Sequence, residues 1–281
     1  MSWFTLTLLS VFIVSISNIL QRILMRDENS EPVSYAIIFA LLLSCVYFIV
    51  SLFLGFHFPI LDWKLIYFLI AATLWGLGTI FLFKALQVIE SSEVTILVSL
   101  RILITIAASV IFLHDVFNFQ KFIGTIILLL SILLVANIKK GIKFNKGVTY
   151  SVFVIFLYGL AVVFDAYNLK NYDVVSYLAV INFLIFVVLL VIYPKAIQMW
   201  KQFTHPNFLK KMLPLVVFSC GQAYAYYFAL QKGPLSQIAP INQAQVIITV
   251  LFAAVLLNEK DNLLRKIIAA VLVTTGVILL R

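Results

Sequence analysis

The sequence predicts an all-α polytopic membrane protein, ten transmembrane helices built as a 5+5 inverted repeat. Composition, the length of the apolar runs and a hidden self-similarity carry that expectation. Hydrophobic residues occupy 64% of the 281 positions and charged residues only 11%, with a mean hydropathy of +1.13. Such a chain has too little polar surface for a water-soluble globule. The hydrocarbon core of a bilayer is about 30 Å thick and a helix rises about 1.5 Å per residue, so uncharged stretches of about 17–25 residues read as spans.

In chain order the spans fall near 3–22, 35–56, 64–86, 92–113, 121–138, 147–168, 174–193, 210–231, 234–257 and 264–281. The links between them are short and leave no room for a soluble domain. Met1-Ser2-Trp3-Phe4 lacks a basic n-region and cleavage site, so the first span is expected to stay in the mature protein. Residues 1–138 form a first five-helix unit, 139–146 a basic linker and 147–281 a second five-helix unit.

The two units match. A shift of 144 aligns Ala85-Leu86-Gln87 with Ala229-Leu230-Gln231, Ser92 with Ser236, Ile104-Thr105 with Ile248-Thr249, Leu113 with Leu257 and Asn118 with Asn262. Shifts of 141 and 142 align Ser10-Val11-Phe12 with Ser151-Val152-Phe153 and Val33-Ser34-Tyr35 with Val175-Ser176-Tyr177. A duplicated unit with an odd number of spans crosses the membrane in opposite senses, giving inverted repeats about an axis in the membrane plane.

Loop charge agrees. The side opposite the N-terminus holds fourteen Lys and Arg residues and the N-terminal side five, with Arg101 between them. The positive-inside rule then predicts a cytoplasmic (inner) membrane protein with both termini non-cytoplasmic. The net charge of +9 is a topology signal and an anionic-lipid contact, not a nucleic-acid footprint. Membrane lipids and a small-molecule substrate are the expected partners, and a monomer the expected state. Cys45 and Cys220 fall inside spans as small core residues. His57, His114 and His205 lie in different loops, so neither metal nor cofactor is implied.

Arg101 sits inside the otherwise uncharged run from Val94 to Leu113. A guanidinium at bilayer depth costs about 2.5–3.5 kcal/mol to insert and tends to face a polar cavity or a partner. The repeat places Gln245 opposite it, on helices four and nine. Other polar groups at depth are Ser15 and Asn18, which share a face of span one at i and i+3; Asn242, Gln243 and Gln245 just after Pro240; Gln222 and Tyr226 of span eight; and Trp75 of span three. These residues are the candidate substrate contacts, while Asn182 reads as helix glue.

No Asp or Glu lies at the middle of a span. Glu90 and Glu93 stand at the start of span four and Asp165 near the end of span six. The expectation is therefore an uncoupled uniporter or exchanger, with proton coupling open only to an end-of-helix acid such as Asp165. No nucleophile with a base, carboxylate pair or metal cluster is visible, so an enzyme is not expected.

Tyr227-Phe228-Ala229-Leu230-Gln231, the Lys232-Gly233-Pro234 link, a long apolar helix, Leu257-Asn258-Glu259-Lys260 and a last apolar helix together resemble the EamA family of the drug/metabolite transporter superfamily. Lys84-Ala85-Leu86-Gln87 and Leu113-His114-Asp115 echo the pattern in the first half. Asn258 and His114 stand where the family usually has Gly, Ile102 and Val246 where it often has Pro, and the first span lacks the usual Trp-Gly pair. The resemblance implies a ten-helix carrier with a central cavity, moving small metabolites such as amino acids, often as an exporter. The expectation is alternating-access transport of a small polar metabolite, amino-acid-like or an organic anion. A flippase for a lipid-linked phosphate, and a non-transport structural or receptor role, stand as the alternatives.

Overall fold

The structure is a computed structural model, and it describes residues 1–25, 31–57, 64–113, 119–135, 145–169, 171–195, 206–232, 238, 241–257 and 263–279. The linker over 139–144, Pro240 and the turn residues His114 and Asn258 lie outside them. The helices are α1 (Trp3–Met25), α2 (Pro32–Leu54), α3 (Leu65–Val88), α4 (Ser91–Ser99), α5 (Arg101–Leu113), α6 (Phe119–Val135), α7 (Lys146–Asn168), α8 (Val174–Ile192), α9 (Pro206–Lys232), α10 (Gln245–Leu256) and α11 (Leu263–Leu279). Six of the described helices, α1, α2, α3, α7, α8 and α9, are long and apolar enough to cross a membrane; α6 and α10 contain shorter apolar stretches.

Local chemistry sets the ends. Glu31 precedes Pro32 at the start of α2, and its carboxylate accepts from the backbone N–H groups of Val33 and Ser34. Asp173, the matching residue of the second half, does the same for Ser176 at 2.8 Å. A carboxylate cap satisfies orphan donors and complements the positive end of the helix dipole. Gly55 closes α2 with φ +96°, a region that side chains with a Cβ avoid. Along the helices, several hydroxyls bond back to carbonyls one turn earlier, as Thr7 does to Trp3, Ser151 to Gly147 and Thr274 to Ala270.

Span four, expected as one helix over 92–113, is two. The Ser99 hydroxyl donates to the Ile96 carbonyl at 2.6 Å, the acceptor that the Leu100 N–H would use in an α-helix. That N–H turns instead to the Leu97 carbonyl at 3.0 Å, a tighter turn, and α5 restarts at Arg101. The second half repeats the bond 144 residues later. Ala244 N–H donates to the Ile241 carbonyl at 3.0 Å, and α10 starts at Gln245.

The halves interlock. α3 lies along α7 as α1 lies along α9, and α2 meets α8, α4 meets α10 and α6 meets α11. Exchanging the two halves leaves these pairings unchanged. Outward-facing Leu8, Phe12, Phe153, Phe156, Val217 and Val255 are exposed, the apolar surface that lipid would cover. The closest crossings use glycine. A Cβ on Gly78 would lie 2.4 Å from the Tyr158 ring, and one on Gly159 would lie 2.7 Å from Ile104 Cβ and 2.9 Å from the Arg101 carbonyl oxygen.

Gly159→Ala should therefore lower the thermal stability of the detergent-purified protein by about 1–3 kcal/mol, the usual overpacking cost. Gly221→Ala, whose added methyl would meet Ile13 at 3.9 Å, should be neutral in the same melting experiment.

Candidate functional site

A cavity of about 570 Å³ runs between the halves, walled by α1, α2, α3, α4, α7, α8 and α9, by Arg101 and by residues 242–246. Asn18, Trp75, Arg101, Gln222, Tyr226, Asn242, Gln243 and Gln245 all line it, as does Asn182, which was read as glue. Ser15 does not. It is fully buried, and its hydroxyl donates to the Val11 carbonyl at 2.8 Å and reaches the Gln245 carbonyl at 3.3 Å. Residues three apart on a helix share a face only loosely, and here the face they share is split between the wall and the α1–α10 seam.

That seam ties the halves with polar groups. Ser10 donates to Asn242 Oδ1 at 3.3 Å, Gln222 Nε2 to Ser10 Oγ at 3.4 Å and Asn18 Nδ2 to Thr249 Oγ1 at 3.2 Å. The Gln243 Oε1 is buried without a hydrogen-bond partner among the described residues.

Arg101 opens α5, directly after the tight turn that ends α4. Its guanidinium carbon stands 5.9 Å from the centre of the Tyr158 ring. Among the described residues no carboxylate lies within ion-pair distance of it. Tyr158 is fixed from the other side. Thr79 spends its proton on the Trp75 carbonyl at 2.8 Å, so Tyr158 donates to Thr79 Oγ1 at 3.1 Å, and the Tyr158 and Trp75 rings lie 4.5 Å apart.

Asp165 is the residue that sequence reasoning left at the edge. The cavity reaches the last turn of α7, where this carboxylate, 3% exposed, stands in the wall. Oδ2 accepts from Trp75 Nε1 at 2.9 Å and from the Tyr227 hydroxyl at 2.8 Å, and Oδ1 accepts from the Tyr177 hydroxyl at 2.5 Å. Three helices, α3, α8 and α9, thus converge on α7 through one side chain. The signal available in sequence was a lone acid near the end of a long apolar span. At the opposite end of the bundle the closures are ionic: Lys266 of α11 pairs with Glu90 ahead of α4, and Arg22 donates to the Leu86 carbonyl.

The comparisons agree with this architecture. The model of the EamA-like transporter family matches residues 1–137 and again 145–281, once on each half. The chain belongs to the EamA-like transporter family, and it is a multi-pass membrane transporter of the drug/metabolite superfamily. A comparison with curated proteins finds no match. A solved protein, titled only as a crystal structure of a protein, shares 13% identity with it at a TM-score of 0.67, over 98% of this chain and 96% of that one. That likeness is one of fold.

Asp165→Ala would strand three donors. At about 0.6 kcal/mol for an average hydrogen bond in a membrane bundle, more where the partner is charged, it should cost about 2 kcal/mol of thermal stability. Tyr227→Phe should cost about 0.6 kcal/mol, and both are read by melting in detergent.

Proposed function

We propose that this transporter moves a small polar metabolite carrying a carboxylate or phosphate, through a central site between ten spans arranged as two inverted five-span repeats. The span count is supported by the six long helices together with four broken or shorter ones: α4 with α5, α6, α10 with the turn before it, and α11. The inverted arrangement is supported by the exchangeable pairings of the halves and by the loop charges.

One observation carries the cargo assignment. Arg101 stands in the cavity wall, at the start of a half-helix, with no carboxylate in ion-pair range among the described residues. A half-buried cation in a cavity wall, with no counter-ion in range, attracts an anion. Asn242, Gln243 and Gln245, at the matching break of the other half, supply amide donors and acceptors that orient the rest of the molecule. Trp75, Tyr226 and the ring of Tyr158 give its apolar part a surface. Asn18 and Gln222 complete the contacts from α1 and α9. The two halves rock about this site, opening each side of the cytoplasmic membrane in turn, with both termini on the non-cytoplasmic side.

Thermal-shift screening of the purified protein against carboxylate and phosphate metabolites identifies the cargo, since a ligand of the folded state raises its melting temperature by mass action. Counterflow of each hit into proteoliposomes then tests the site. Arg101→Ala should lower that flux by about tenfold or more, the worth of a charge-assisted contact, while the variant still elutes as a monodisperse peak. Undiminished flux in Arg101→Ala rejects the assignment.

A further inference from the structure

We propose that the Asp165 carboxylate is a proton-binding site in the cavity wall, and that its proton is linked to the charge at Arg101. The use made of that proton rests on the transport reading above; the existence of the site does not.

The geometry requires something of Asp165 that a structural carboxylate does not. It is buried in the wall of the cavity, and its hydrogen-bond partners, Trp75, Tyr177 and Tyr227, are all neutral. A structural carboxylate at this depth is ordinarily held by a cation, and among the described residues none lies within ion-pair distance of Asp165. The surroundings also suit the protonated form. The Trp75 indole is a donor only, so Oδ2 stays an acceptor in either state. A proton on Oδ1 points at the Tyr177 oxygen, and Tyr177 must then turn its own hydroxyl elsewhere. Asn168 lies beside it, one turn further along α7, buried with neither Oδ1 nor Nδ2 hydrogen-bonded among the described residues. An amide offers either its N–H or, turned over, its oxygen, so this one can accept from Tyr177. With Asp165 ionised, Tyr177 donates to the carboxylate; with Asp165 protonated, Oδ1–H donates to Tyr177 and Tyr177 donates to Asn168. No covalent bond between heavy atoms changes, and the proton enters from and leaves to water in the cavity.

The link to Arg101 follows the contacts already described. The guanidinium lies 5.9 Å from the centre of the Tyr158 ring, that ring packs tilted against Trp75, and Trp75 donates to Asp165. The groups facing Asp165 from the elements packed on α7 are Tyr177 of α8, Tyr226 and Tyr227 of α9 and Trp75 of α3; Asp173, at the start of α8, lies 3.9 Å from His57, and Arg101 of α5 is reached through Tyr158 and Trp75. The acids of α4, Glu90 and Glu93, stand at the other end. Gly147 touches Ile89 there, and Asp165 lies about 27 Å further along α7 at 1.5 Å per residue. Among the described residues that line the cavity Arg101 is the one cation, and Asp165 shares that wall with it. An anion seated on Arg101 cancels its field and draws a proton onto Asp165; a proton on Asp165 in turn strengthens anion binding at Arg101, because linkage is reciprocal. Anionic cargo and proton travel together.

The test needs no cargo. Infrared difference spectra of the full chain in lipid nanodiscs, recorded across roughly pH 4 to 9, should show a protonated-carboxyl band that Asp165→Asn removes. In Arg101→Gln that band should persist and titrate at higher pH, by about 0.5 pH unit or more. A spectrum in which Asp165→Asn removes no titrating band overturns the proton site, and a titration unmoved by Arg101→Gln overturns the link. If Asp165→Asn does not fold, 19F NMR of the wild-type chain labelled with 5-fluorotryptophan decides. The Trp75 resonance, identified by its loss in Trp75→Phe, should follow the same pH dependence as the band, and a resonance constant with pH overturns the proposal. A titrating Asp165 in a protein that transports no anion leaves the proton site standing and rejects the cargo reading instead.

Discussion

The site depends on how closely α7 approaches the broken fourth span of its partner half. Gly159 brings the α7 backbone against the Arg101 carbonyl, and the Thr105 hydroxyl, already 3.2 Å from that carbonyl, donates to the Gly159 carbonyl at 3.0 Å. A helix interrupted inside a bilayer must find partners for its loosened backbone groups within the protein, because lipid offers none. α7 sits against that break, and Tyr158, the residue just before Gly159, meets the guanidinium. A side chain larger than glycine at this crossing would move the aromatic ring, the break and the charge together.

Symmetry of backbone does not extend to chemistry. The tight turn at Leu100 recurs at Ala244, and the carboxylate cap of Glu31 recurs at Asp173. Yet Arg101 matches Gln245, Trp75 matches Ser219, Tyr158 matches Ser17 and Asp165 matches Leu24. Duplication supplied two equivalent frameworks, and the charged and aromatic groups were placed in one register of each. One side of the cavity carries the carboxylate cage and the guanidinium; the other carries amides.

The repeat, the apolar spans and most of the wall were legible in the sequence. Val33-Ser34-Tyr35 and Val175-Ser176-Tyr177 announced the duplication, and Arg101, Asn18, Trp75, Gln222, Tyr226 and the amides of 242–245 all face the cavity because polar groups in so apolar a chain have few places to go. The break at Leu100 was not legible. It has neither Pro nor Gly, and the tighter turn recurs at Ala244, where Gln243 stands in place of Ser99. Asp165 was undervalued because position along a span was taken for depth, whereas the cavity extends to the final turn of α7. Ser15 lies off the wall because the Val11 and Gln245 carbonyls take its hydroxyl, which its spacing from Asn18 does not show.

The two ends of the bundle are fastened by different kinds of bond, and they respond differently to being pulled apart. Where Lys266 meets Glu90, separation releases two ions that water solvates strongly, returning much of the desolvation energy spent in burying them. Where Trp75, Tyr177 and Tyr227 surround Asp165, separation hydrates a single charge and three neutral groups.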